Sequence, residues 1–148
     1  MTAYDSLAAA YDGLTGDIPY AQVLDFLEAV LRQEGKRPNS VLDLACGTGS
    51  MSLLLAQRGY QVLASDISEE MLTQAAAKAA DMGDRAPYFI HQPMQRLRLP
   101  QPVDAVICCL DSINYLTKPA DCQKTFRRVY DALRPGGLFV FDINTPCK

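Results

Sequence analysis

The stretch Asp43-Leu44-Ala45-Cys46-Gly47-Thr48-Gly49 decides how the rest of the chain is read. It continues the apolar run Ser40-Val41-Leu42 and leads into a helix-forming run from Met51 to Arg58. The pattern predicts a buried strand over 40–45, a glycine-bearing turn and then a helix. Gly47 and Gly49 remove side chains where backbone must turn tightly or meet a ligand closely. A plain βα turn would use the same glycines. Asp43 argues for more, because a carboxylate inside an apolar strand is costly to bury without a partner. It is expected to serve a ligand or the backbone donors of the turn.

Outward from this turn, strand and helix alternate. Val23, Phe26, Leu27, Val30 and Leu31 recur at helical spacing within 20–34, and Gly35-Lys36-Arg37-Pro38-Asn39 ends that helix. A second strand is expected over 61–66 and a helix over 69–82, with Ser68 as its N-cap and Glu69 and Glu70 in its first turn. A weaker third strand is expected over 87–91, a fourth over 103–110 and a further helix over 121–133. Arg134-Pro135-Gly136-Gly137 reads as a sharp turn and 138–143 as a fifth strand. Helix-length crossovers between strands imply parallel pairing. Runs such as Ala105-Val106-Ile107-Cys108-Cys109-Leu110 suit strands covered on both faces. The expected fold class is α/β, a Rossmann-like doubly wound parallel sheet in the order 3-2-1-4-5. One domain is expected over 1–148, with N-terminal helices over 1–38 and the Rossmann-like core over 39–148.

Composition sets the class. The chain has 148 residues, 49% hydrophobic and 21% charged, with a net charge of -3, which fits one globular domain and not a disordered chain. No apolar run is long enough to suggest a membrane span, and the first residues carry no signal-peptide pattern. A pI near 5.0 disfavours nucleic acid and anionic membranes as partners. Cys46, Cys108, Cys109, Cys122 and Cys147 show no zinc-type spacing and read as reduced thiols, which places the protein in the cytoplasm.

Asp66 ends the second strand, 17 residues after Gly49. From there a carboxylate reaches both ribose hydroxyls of a nucleoside, or else caps the following helix. No GxGxxG is present, and Asp43 would repel a pyrophosphate at the turn, so a nicotinamide-dependent oxidoreductase is the weaker alternative.

These residues resemble class I S-adenosylmethionine-dependent methyltransferases. The resemblance rests on 43–49, Asp66-Ile67-Ser68 and Leu133-Arg134-Pro135-Gly136-Gly137. Asp111-Ser112-Ile113-Asn114-Tyr115-Leu116 and Phe141-Asp142-Ile143-Asn144-Thr145-Pro146 are similar to a bacterial small-molecule-type branch. The resemblance implies S-adenosyl-L-methionine as cofactor and an unidentified, small-molecule methyl acceptor. It implies that Asp43, Ala45, Gly47 and the Gly49 turn surround the methionine moiety, and that Asp66 holds the ribose diol. Ile67 and Met94 would flank the adenine, and Leu110 would lie under the sulfonium. Tyr11 is similar to a tyrosine that approaches the cofactor, or is an ordinary amphipathic aromatic. His91 could act as a base or be a structural histidine, the latter being favoured; Asp111, Asn114 and Tyr115 are candidate substrate contacts, with helix capping and loop packing as the alternative, and no catalytic base is assigned.

The chain departs from the family pattern in three places. Ala45 stands where a glycine is frequent, a change expected to cost little because alanine is small. Pro93 stands where many members have an aspartate that binds the adenine amino group. Family members also usually continue with two more strands, so the chain reads as truncated. That reading leaves Leu138-Phe139-Val140-Phe141 as an apolar edge open to self-association. It also keeps open a cofactor-binding but inactive domain.

Overall fold

The computed structural model describes residues 20–108 and 119–141. The sequence-expected Tyr11, Leu110, Asp111, Asn114 and Tyr115 lie outside them, as do Cys109 and Cys147.

Five strands form one parallel sheet in the order β3-β2-β1-β4-β5, as the alternation predicts. They are β1 (Ser40–Leu44), β2 (Gln61–Asp66), β3 (Tyr88–His91), β4 (Val103–Cys108) and β5 (Leu133–Phe141). The connecting helices are α1 (Tyr20–Gln33), α2 (Ser50–Gln57), α3 (Glu69–Lys78) and α4 (Pro119–Ala132).

Alternate residues of the central strands supply two cores. Val41, Val62, Ala105 and Ile107 pack with Leu24 and Leu27 of α1 and Met51 and Leu55 of α2. Leu42, Leu44, Val106 and Cys108 pack with Leu97 and with Val129 of α4. Both faces of β1 are therefore covered, and all five of its residues are buried. That double cover is why the strand reads as an unbroken apolar run around Asp43.

Two boundaries differ most from the sequence expectation. The helix after Ser68 stops at Lys78, and the chain tightens into a 3₁₀ turn over Ala80–Arg85, where Gly83 adopts φ 61°. The fifth strand begins at Leu133, five residues early. Leu133 pairs with Val103, the chain bulges through Arg134–Gly137, and pairing resumes at Ala105 with Leu138. The expected turn is thus a bulge within the strand. Arg134 Nε lies 3.3 Å from Asp104 Oδ1, and Asp104 Oδ2 accepts the N–H groups of Asn39 and Ser40 at 2.8 and 3.0 Å. Those backbone donors and then Arg134 hold the Asp104 carboxyl below the usual carboxylate range. Strand β5 has β4 as its sole strand neighbour among the described residues, and Phe139 and Phe141 are half-buried against Phe126 of α4, with ring centroids 5.7 and 5.4 Å away.

Against α1, Arg58 Nη1 contacts Asp25 at 2.8 Å and Glu28 at 2.7 Å, and Tyr60 Oη donates to Glu28 at 2.6 Å. These bonds tie α1 to the end of α2, and burial together with Glu28 pushes the Tyr60 hydroxyl up to about 12.

Candidate cofactor site

The switch in strand order falls at β1: the chain builds outward from it through β2 and β3, then crosses back to place β4 on its other side. Open α/β sheets bind ligands beyond the carboxyl ends of strands at such a point. Asp43 lies there, flanked in register by Ala64 and Ile107. It is 2% exposed and accepts a 2.6 Å hydrogen bond from the Ser52 hydroxyl into Oδ2. None of the ion pairs among the described residues reaches Asp43. Burial pushes its carboxyl up to about 7, against the lowering effect of Ser52 and with a smaller push from Asp66. Without a cation beside it, Asp43 is a buried acid held partly protonated at neutral pH.

Asp66, not Asp43, secures the glycine turn. Its Oδ2 accepts the Gly47 N–H at 2.8 Å and its Oδ1 accepts the Ser68 N–H at 2.9 Å. The helix-capping alternative for Asp66 is therefore not what the structure shows: Ser68 is the N-cap, and its hydroxyl accepts the Met71 N–H at 3.2 Å. Asp66 bridges the ends of β1 and β2 instead. The Cys46 N–H also donates to the Ser65 carbonyl at 2.9 Å, which binds the turn to β2 a second time.

The two glycines differ in purpose. Gly47 adopts φ 60° and Gly49 φ 85°. A Cβ on Gly49 would lie 2.9 Å from Ala75 Cβ of α3 and 3.7 Å from Phe89, so its bare side lets α3 pack. The absent side chain at position 49 thus makes room for a helix.

Ala45 also needs correction. It is the one non-glycine residue with positive φ, at 59°, among the described residues. The cost of alanine there is strain within its own backbone, because the left-handed region crowds Cβ against the carbonyl. Ala45→Gly is expected to raise stability by up to about 1 kcal/mol, the relieved strain exceeding the added freedom of the unfolded chain. Urea unfolding measures it, and a destabilised variant would contradict the strain.

Ile67 stands 61% exposed immediately after Asp66, an apolar side chain open at the sheet's edge of the site. His91 Nε2 lies 2.9 Å from the Ile67 carbonyl oxygen, a bond that requires its Nε2–H tautomer. His91 therefore fixes the backbone beside Ile67, which is the structural alternative for it. Pro93 begins a 3₁₀ turn over Met94–Arg96, and Gln92 pins that loop through bonds of 3.2 Å to the backbone of Arg98. Met94 is half-buried against the core that contains Leu42 and Leu44.

Cys46 is a free thiol, pushed well up first by burial and then by Asp43 and Asp66, so it stays protonated. No group of histidine, cysteine and acidic residues suited to a metal exists among the described residues.

Sequence reasoning missed Ser52. The signal was present: a serine on the same helical face as Leu55 and Ala56, all of them buried. A polar residue on an apolar face calls for a partner, and the nearest strand holds a carboxylate.

Residues 41–137 match the model of the methyltransferase domain family. The chain is 38% identical over 146 residues to YqeM, a Bacillus subtilis protein whose name calls it a methyltransferase, covering 98% of this chain and 57% of that one. It superposes on an S-adenosylmethionine-dependent methyltransferase from Clostridium acetobutylicum with a TM-score of 0.83 and 34% identity, covering 97% of this chain and 58% of that chain. More distant relatives include a glycine/sarcosine N-methyltransferase of Aphanothece halophytica, 31% identical over 120 residues, covering 80% of this chain and 44% of that one. Another is the tRNA 5-carboxymethoxyuridine methyltransferase of Escherichia coli, 31% identical over 132 residues, covering 86% and 49%. The chain belongs to the class I S-adenosylmethionine-dependent methyltransferases. It spans less than three-fifths of the length of YqeM and of a similar Geobacillus protein.

Proposed function

We propose that the chain binds S-adenosyl-L-methionine and takes part in methyl transfer to a small-molecule acceptor in the cytoplasm. The observation that carries this reading is the constellation of buried Asp43, the left-handed turn at 45–49 and Asp66 at adjacent strand ends. The residues present fit that cofactor. Asp43 is a buried acid with no ion-pair partner among the described residues, which suits an ammonium group. Asp66 is oriented by two backbone donors beside exposed Ile67, a polar group next to an apolar face as a nucleoside requires.

When bound, S-adenosylmethionine supplies an electrophilic methyl group on a sulfonium. The chain's own residues bind and orient. In this reading Asp43 meets the amino group, Ala45, Gly47 and the Gly49 turn line the methionine moiety, and Asp66 accepts from the ribose. Ile67 and Met94 flank the adenine, with Leu110 and Tyr11 proposed further along the same site. Because a sulfonium is already a good leaving group, placement of the acceptor accounts for much of the rate. No base is assigned.

The small-molecule acceptor rests on the net charge of -3 and on the substrate in the Aphanothece relative's name. A tRNA acceptor, as in the Escherichia coli relative's name, is the rival that acceptor screening decides. No helix among the described residues is long and apolar enough to cross a membrane. Self-association through the β5 edge is a further expectation for the 148-residue polypeptide, read by sedimentation.

Asp66→Ala is expected to weaken S-adenosylhomocysteine binding by about 10–100-fold, from lost charge-assisted bonds and a released Gly47 N–H. Isothermal titration measures it. Unchanged affinity would remove Asp66 from the site.

A further inference from the structure

Resting on the cofactor reading above, we infer that Ser52 is a positioning residue for cofactor recognition. Its hydroxyl holds one oxygen of Asp43 so that the other is presented to the cofactor's ammonium group.

Ser52 lies on the buried face of α2 and is itself completely buried. A serine inside a helix commonly returns its hydroxyl to a carbonyl of the preceding turn. Ser52 instead donates to Asp43 Oδ2 at 2.6 Å, within the range of a charge-assisted O–H···O⁻ bond. It is the sole hydrogen bond to the Asp43 side chain among the described residues, and the register neighbours of Asp43 are apolar. One hydroxyl therefore holds this carboxylate in place and favours its ionisation. A hydroxyl that donates to the ionised form favours it, whereas burial among Ala64 and Ile107 and the nearby Asp66 carboxylate oppose it. Removing Ser52 leaves a carboxylate that is free to turn and that ionises only at higher pH. The loss falls on the amino-acid end of the cofactor and leaves the nucleoside end untouched.

The test uses the full 148-residue chain and isothermal titration between pH 6 and 8.5. The ligands are S-adenosylhomocysteine and 5′-methylthioadenosine, which lacks the amino-acid moiety. Ser52→Ala is expected to weaken S-adenosylhomocysteine by about 5–20-fold at pH 7, a part of what a bond to a charged group contributes, because the same bond is lost from the free protein. It should also raise the pH at which that affinity levels off. Binding of 5′-methylthioadenosine should change by less than about twofold, and Ser52→Thr, which keeps the hydroxyl, should restore the pH profile. Thermal unfolding verifies that each variant is folded. Equal losses for both ligands would reduce Ser52 to a packing role and overturn the inference. An unmoved pH profile would overturn it as well. Asp43→Asn separates the two levels of the argument. If it binds S-adenosylhomocysteine as tightly as the unaltered chain, the ammonium role of Asp43 falls and the Ser52 role with it. If Asp43→Asn loses affinity while Ser52→Ala does not, only the Ser52 role falls.

Discussion

Asp43→Asn is expected to stabilise the cofactor-free protein at pH 8 while destroying its recognition of the cofactor's amino group. Burial raises the Asp43 carboxyl from 3.8 to about 7. Between those values the unfolded chain has lost its proton and the folded chain keeps it. Stability is therefore fully present below about pH 4 and is lost progressively as pH rises through 7. The shift corresponds to about 4 kcal/mol at most, at roughly 1.4 kcal/mol per unit of pKa. Asparagine keeps the shape and an acceptor for Ser52 but cannot ionise. Urea unfolding should show the variant more stable by about 2–4 kcal/mol at pH 8 and nearly equal at pH 4. Its affinity for S-adenosylhomocysteine should fall by about 10–100-fold, as for a lost bond to a charged group. A stability difference that does not depend on pH would mean that Asp43 is not the strained group described above. The opposition between the two effects is the usual signature of a site whose binding group is costly to the empty fold.

Gly49→Ala should be the most damaging single-methyl change in the turn. Two penalties coincide there. Position 49 has φ 85°, and the added Cβ would stand 2.9 Å from Ala75 Cβ. Left-handed alanine costs roughly 1–2 kcal/mol, and overpacking a close contact adds about 1–3 kcal/mol. The expected loss is about 2–4 kcal/mol, or a fall in Tm of roughly 5–15 °C for a chain of this size. Gly59 provides the control, because it has φ 98° and nothing within 4 Å of its would-be Cβ. Gly59→Ala should lose only the conformational part, about 1–2 kcal/mol. Adding Ala75→Gly to Gly49→Ala should recover the steric part. Equal losses at positions 49 and 59 would show that α3 does not press on the turn.

Much of the fold was legible because its signals are local and repeated. The strands expected over 40–45 and 103–110 are found over Ser40–Leu44 and Val103–Cys108, their apolar runs matching burial on both faces and their spacing matching parallel order. The bulge at Arg134–Gly137 was not legible, because proline and two glycines signal a turn whether the chain leaves the sheet or stays in it. Only the distant Asp104 tells the two apart, through Arg134. At the site, Asp43 and Asp66 stood out as acids at strand ends, yet their protein partners were not legible. The turn's N–H went to Asp66 across the sheet, and Asp43 turned to a helix. Sequence spacing gives each carboxylate a position along its strand; which donor it meets depends on the register between β1 and β2. Ala45 shows the same limit, since its small size hid a backbone conformation that size does not reveal.

Calorimetric titration of the 148-residue chain with S-adenosylhomocysteine, with NADH as control, tests the central claim most directly. Saturable binding of S-adenosylhomocysteine alone is predicted, tightening as pH rises toward about 7 and Asp43 ionises, and levelling off above it. Below that pH, binding should release a proton, visible as a heat that varies with the buffer. Binding without pH dependence would remove Asp43 from recognition. Failure to bind S-adenosylhomocysteine, or comparable binding of NADH, would contradict the account of this turn as an S-adenosylmethionine site.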